Sequence, residues 1–123
     1  MVEAGTDRVE RGRTLIGEIN PDNHGEVLQP LRAVAPDLEG IYMGAVADLW
    51  DRDRLSRRER SIIRLAAIAA IGPLESVTQS AIDTALHIGL SREDIAEVFL
   101  QTSPQVGLIR VLAALEALNR HPH

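Results

Sequence analysis

The chain has 123 residues, of which 45% are hydrophobic and 25% are charged, the composition of one soluble globular domain large enough to bury a core. It contains no cysteine, which excludes disulfides, thiolate catalysis and cysteine-ligated zinc. A net charge of −5 and an aromatic content of 2% argue against a nucleic-acid partner, which would need basic surfaces and stacking rings.

The spacing of apolar residues predicts an all-α fold, a single-domain bundle of six to seven helices over residues 1–123 without a convincing strand. Turn signals at Pro21, Gly89 and Pro104 separate the helices. The predicted ranges are Asp7–Ile19, Glu26–Val34, Pro36–Trp50, Ser56–Gly72, Leu74–Ile88, Ser91–Thr102 and Val106–Asn119.

The helix Ser56–Gly72 is the centre of the predicted fold. Ser56 and Glu59 have the spacing of a capping box, and Gly72 suits the helix end. From Ile62 to Ile71 the sequence is apolar on nearly every side except at Arg64, so we expect every flank to be buried. Beside it, a positive stripe is expected from three arginines on one face, Arg57, Arg60 and Arg64.

The central and last helices together carry more apolar surface than a monomer of this size needs to hide. One explanation is a tightly wrapped core; the other, which we favour, is that part of this surface is a subunit interface. The first residues lack the apolar run of a signal peptide, and no window of membrane-spanning length is free of charge. We therefore expect a cytoplasmic homo-oligomer without a membrane partner.

The arginines are the first candidates for chemistry. Arg60 and Arg64 lie on a largely apolar helix, where an unpaired guanidinium is costly. They either form ion pairs inside the bundle, with Asp83, Glu97 or Glu116, or hold a carboxylate or enolate oxygen of a substrate.

Other candidates each have a structural alternative. Glu97 and Gln101 share one helix face, where a carboxylate kept partly dry can carry a proton or simply form a salt bridge. His87 is either a proton carrier or a favourable cation in the last turn of its helix. Gln105, Trp50 and Tyr42 either line a pocket or have an ordinary place in a loop or the core. Metal-ligand spacing is absent around the remaining histidines, His24, His121 and His123, so we predict no metal.

Two stretches resemble the carboxymuconolactone decarboxylase family, whose members share the alkylhydroperoxidase-like fold. LWDRDRLSRRERSIIRLAAIAAIG is similar to the family pattern of Trp, Arg, Leu and Arg before a long alanine-rich helix ending in Gly. ALHIGLSREDIAEVFLQ is similar to its Gly turn, capped helix and following polar residue. The closest resemblance covers residues 35–118.

The resemblance implies a helical trimer or hexamer with a pocket near a subunit boundary, handling a small lactone acid without metal or organic cofactor. Arg52 and Arg60 match family arginines, and Gln101 matches a polar position near the pocket. Where the family pattern has Glu and His, this chain has Ser61 and Ala81, which removes two expected proton carriers.

From this resemblance we expect a cofactor-independent lyase, isomerase or cyclase acting on a small oxygenated, enolisable or lactone-type molecule. Arg60 and Arg52 are expected to stabilise an oxyanion and His87 to transfer a proton. The expected substrate-binding residues are Arg64, Gln101, Gln105, Trp50 and Glu97. The alternative is a non-catalytic oligomer that binds a ligand or supports assembly on the same scaffold.

Overall fold

A computed structural model describes residues 2–21, 27–72 and 74–122, with side chains from residue 7 onwards. These ranges contain seven α-helices, one short 3-10 helix at Gln29–Leu31 and no strand, so the predicted all-α fold is confirmed. The α-helices are α1 Val2–Ile19, α2 Leu38–Leu49, α3 Arg57–Ile71, α4 Glu75–Ile88, α5 Arg92–Gln101, α6 Ser103–Val106 and α7 Leu108–Arg120.

Proline explains two differences from the predicted helices. The predicted helix Glu26–Val34 is replaced by the 3-10 helix Gln29–Leu31 and a turn, because Pro30 lacks the N–H that a helix interior needs. Glu26 itself lies outside the described residues. At the other end of the chain, Pro104 does not simply interrupt a helix but lies in the first turn of the short α6.

Helix α3 begins at the predicted capping box. The Ser56 hydroxyl accepts a hydrogen bond from the Glu59 backbone N–H at 3.0 Å, and the Glu59 carboxylate accepts one from the Ser56 N–H at 2.9 Å. The hydrogen bond from the Ser56 backbone N–H stabilises the carboxylate and lowers the pKa of Glu59. The helix ends at Gly72, whose φ of 105° is readily adopted only by glycine.

The burial predicted for α3 is only half right. Ser61, Leu65 and Ala69 are buried, but Ile63 is 50% exposed and Ile71 is 79% exposed. The prediction that every flank is buried is therefore wrong for the single chain, because the other helices cover α3 on one side only.

The helices form two packed groups. In the first, α1 and α2 enclose a small core of Leu15, Ile19, Val46 and Trp50. The second contains α3 to α7 around a larger core. Ile88 packs against both cores, and the Asn20 amide donates a hydrogen bond across them to the Ser80 hydroxyl at 3.2 Å. These contacts fix how the α1–α2 pair is placed against α4.

The end of α7 is held tightly against α4 and α5. The Gln79 amide donates to the Ala117 carbonyl at 2.8 Å, and Arg120 forms an ion pair with Glu75 at 2.8 Å. Immediately after the helix, the His121 imidazole contacts the Asp83 carboxylate at 2.5 Å, and both residues are less than 5% exposed. The fold thus brings the segment that follows α7 into the interior.

Crossing a lipid bilayer requires a long and apolar helix, and no helix within the described ranges meets that requirement.

A close crossing of α1 and α2 predicts the effect of adding one methyl group. A Cβ on Gly12 would lie 2.0 Å from the Met43 carbonyl oxygen, so α2 must move away. We expect Gly12→Ala to lower the free energy of unfolding by about 1–3 kcal/mol. In the same helix a Cβ on Gly17 meets no atom within 4 Å, so Gly17→Ala should raise the free energy of unfolding by about 0.5–1 kcal/mol. Urea unfolding of both variants measures the difference, and equal stabilities would contradict this crossing.

The buried contact at the C-terminal end gives a second prediction. His121→Ala removes the imidazole that faces the buried Asp83 carboxylate, and breaking such a buried pair typically costs about 3–5 kcal/mol. His87 is exposed, so His87→Ala should change the unfolding free energy by less than about 0.5 kcal/mol. Urea unfolding compares the two, and a small effect of His121→Ala would show that the tail contributes little to stability.

Candidate functional site

An apolar groove of about 520 Å³ lies between α3 and the helices α5 and α6. Its walls are mostly aliphatic because α3 presents small residues there, which leave space that larger side chains would fill. The residues that line the apolar groove are Ile62, Ala66, Ala67, Ala70, Glu97, Val98, Gln101, Thr102, Gln105 and Val106.

The polar residues of the apolar groove come from α5, its C-terminal end and α6. The Gln101 amide donates a hydrogen bond to the Glu97 carboxylate at 2.7 Å, as their spacing of four residues on one helix allows. Thr102 and Gln105 follow at the helix junction. The structure thus brings together three residues that the sequence analysis selected, Glu97, Gln101 and Gln105.

A second group of side chains, which we call the arginine cluster, lies on the other flank of α3, facing α2 and α4. It consists of Arg60, Arg64, Trp50, Tyr42, Ser80 and Thr84. The Arg60 guanidinium carbon is 5.3 Å from the centre of the Trp50 ring, the distance of a cation–π contact. The Nε atom of Arg60 is buried and has no hydrogen-bond partner among the described residues. Neither Arg60, Arg64 nor Trp50 lines the apolar groove.

Arg64 is the most deeply placed cation of the arginine cluster. Its guanidinium donates to the Thr84 hydroxyl at 3.5 Å and to the Ser80 hydroxyl at 3.4 Å, both long for hydrogen bonds. Burial lowers the pKa of Arg64 by disfavouring the charged form, and the negative charge of an ionised Tyr42 would oppose that shift.

The ion pairs considered for Arg60 and Arg64 are not the ones observed. Asp83 contacts His121, and Glu97 accepts from Gln101. Glu116 lies 3.9 Å from Arg120. In the part of the chain that the structure describes, no carboxylate forms an ion pair with Arg60 or Arg64. The predicted positive stripe is also divided, since Arg57 pairs with Asp51 at 3.0 Å and with Glu18 at 3.1 Å.

Two further candidates are exposed. Arg52 is exposed in the link between α2 and α3. His87 is exposed in the last turn of α4, where an imidazolium gains from the helix dipole. Neither residue lines the apolar groove.

The two positions where the family pattern has acid–base residues are inside the core. Ser61 and Ala81 are each 1% exposed, so neither side chain opens onto the apolar groove. Sequence reasoning did not identify Ser80 and Thr84 as partners of Arg64. Their spacing of four residues, which places both hydroxyls on one face of α4, was the available signal.

Among the residues described, no three His, Asp or Glu side chains come together as a group that would hold a metal ion.

The comparisons with known proteins agree with this all-helical architecture. The model of the carboxymuconolactone decarboxylase family matches residues 36–120, from just before α2 to the end of α7. The comparison with curated proteins gives no match. Because the family match covers well over half of the sequence, the chain belongs to the carboxymuconolactone decarboxylase family.

Proposed function

We propose that this protein is a cofactor-independent enzyme that acts on a small oxygenated, enolisable or lactone-type molecule bound in the apolar groove. The observation that carries the proposal is the distribution of polarity in that groove. Aliphatic walls surround a space of about 520 Å³, and the polar side chains Glu97, Gln101 and Gln105 lie along one side of it. Such a groove suits a compact carbon skeleton with a few oxygen atoms.

Glu97 is the proton carrier of this proposal. Its carboxylate would take a proton from the carbon next to a carbonyl group, and the electron pair would move to the carbonyl oxygen to give an enolate. The hydrogen bond from Gln101 at 2.7 Å holds the carboxylate in one orientation for this step. Return of the proton to the same carbon then gives exchange, and its return to another carbon gives isomerisation.

Amide groups rather than guanidinium groups would stabilise the enolate oxygen. Gln105 lines the same groove as Glu97, and its side-chain N–H groups are suitable donors to a developing negative charge. The sequence analysis gave this role to Arg52 and Arg60. Because neither arginine lines the apolar groove of the chain, we assign the role to the amides.

A homo-oligomer, trimeric or hexameric as the family resemblance implies, would complete the site. Large apolar residues are exposed beside the groove and on neighbouring helices, among them Ile63 at 50%, Leu100 at 48% and Ile109 at 81%. Surface of this kind normally marks an interface. A second chain that covers it would also remove water from the groove and strengthen the interactions of Glu97.

The alternative is a non-catalytic protein that binds a ligand or supports assembly. The burial of Ser61 and Ala81 favours it, because these positions carry no ionisable group where the family pattern has two. Binding in the apolar groove without proton exchange would support this alternative.

Proton exchange tests the enzyme proposal directly. Enolisable lactones and keto acids, carboxymuconolactone among them, are incubated with the protein in D₂O, and loss of the Cα–H signal is followed by NMR. We expect Glu97→Gln to slow exchange by a factor of about 10²–10⁴, the usual contribution of a general base. Glu93→Gln is the matched control, since Glu93 is exposed one turn earlier on α5 and does not line the groove. Equal rates in the two variants would contradict the role of Glu97.

The oligomer proposal has its own test. We expect the protein to elute at the mass of a trimer or hexamer, measured by light scattering after size-exclusion chromatography. Ile109→Asp places a charge in the expected interface and should release smaller species. Asn119→Asp is the control, because Asn119 is exposed on the same helix but is already polar. A monomeric parent protein at micromolar concentration would refute the proposal.

A further inference from the structure

We propose that the arginine cluster is a second binding site, separate from the apolar groove, which takes the carboxylate group of a small organic acid. The cluster lies against α2 and α4, whereas the groove lies against α5 and α6, so α3 separates the two sites. The inference is independent of the reaction proposed for the groove.

The charge of Arg64 has no anionic partner among the described residues. A guanidinium placed in a mostly buried position normally pairs with an anion, because neutral groups do not repay the loss of hydration. Among the described residues the hydrogen-bond partners of Arg64 are the neutral hydroxyls of Ser80 and Thr84, at 3.4 and 3.5 Å. A bound anion would supply the missing charge.

The arginine cluster also has N–H donors without acceptors among the described residues. A guanidinium has five N–H groups, and the two hydroxyls engage only two of those of Arg64. On the same face of α3, Arg60 contributes a buried Nε without an acceptor among the described residues. Both arginines are only partly buried, so an anion from solution can reach them.

The shape of the donor groups indicates the kind of anion. The fork of Arg64 matches the two oxygens of a planar carboxylate, whereas the oxygens of phosphate are arranged tetrahedrally. The Tyr42 ring, which interacts electrostatically with Arg64 and is 36% exposed, offers apolar surface for a short carbon chain. A small monocarboxylate fits this combination better than the doubly charged phosphate ion.

The Asp83 carboxylate on α4 does not act as the anionic partner of Arg64. Asp83 is one residue from Thr84, but its carboxylate faces the His121 imidazole at 2.5 Å. The side chains that face Arg64 from α4 are the uncharged Ser80 and Thr84.

The chain contains a convenient reporter for the test. Trp50 is its one tryptophan and lies directly under Arg60, so its fluorescence responds to changes in the cluster. The protein is titrated with sodium acetate, butyrate and hexanoate, and separately with sodium chloride and sodium phosphate at matched ionic strength. We expect a saturable change with the carboxylates and none with chloride.

Variants connect the response to Arg64. Arg64→Met should weaken carboxylate binding by at least about 30-fold, as loss of one partner of a buried charge pair does. Its thermal midpoint in anion-free buffer should not fall, because the substitution removes a cation that has no carboxylate partner among the described residues. Arg64→Lys, which keeps the charge but not the fork, should weaken binding about tenfold and serves if Arg64→Met does not fold.

Two variants are expected to bind like the parent protein. Arg58→Met removes an exposed arginine of the same helix, which lies 3.5 Å from Asp94 and outside the cluster. Glu97→Gln alters the apolar groove only. It should therefore affect the proposed reaction but not carboxylate binding, so the two proposals can fail separately. The inference is overturned if no carboxylate gives a saturable response, if Arg64→Met and Arg64→Lys bind like the parent, or if phosphate binds more tightly than the carboxylates.

Discussion

The one-sided burial of α3 is the constraint on which the rest of the structure depends. Leu65 and Ala69 anchor the helix in the larger core, while Ile63 and Ile71 on the opposite side remain exposed. A helix covered on one side has two edges where covered and uncovered surfaces meet. The apolar groove occupies one edge, beside α5 and α6, and the arginine cluster occupies the other, beside α2 and α4.

The two edges differ because different residue types line them. Along the groove, Ala66 and Ala70 are short, so the neighbouring helices leave space between aliphatic walls. Along the other edge, the long side chains of Arg60 and Arg64 place positive charge between α3 and the helices α2 and α4. The groove therefore favours recognition by shape and a few hydrogen bonds, whereas the cluster favours recognition by charge. Membership of the carboxymuconolactone decarboxylase family is compatible with small-molecule chemistry in the groove.

Helix α4 contributes further buried polar contacts to the interior. Ser80 receives hydrogen bonds from Asn20 and Arg64, and Asp83 on the same helix faces His121. These contacts connect the α1–α2 pair, the centre of the bundle and the C-terminal segment through one helix. Polar groups buried in this way constrain how the helices are placed, because each misplacement would leave a donor or acceptor unsatisfied.

The sequence by itself determined the local features of this protein. The all-helical class, the capping box of Ser56 and Glu59, the end of α3 at Gly72 and the pairing of Glu97 with Gln101 on one face follow from residues a few positions apart. Local spacing did not account for Pro30, whose missing N–H leaves only a 3-10 turn where a longer helix was predicted. Only the tertiary structure decided which flank of α3 is covered, that the arginines and the groove lie on opposite edges, and that His121 is buried against Asp83. These outcomes depend on contacts between residues up to tens of positions apart, and periodicity within one helix carries no information about which neighbour lies against each face.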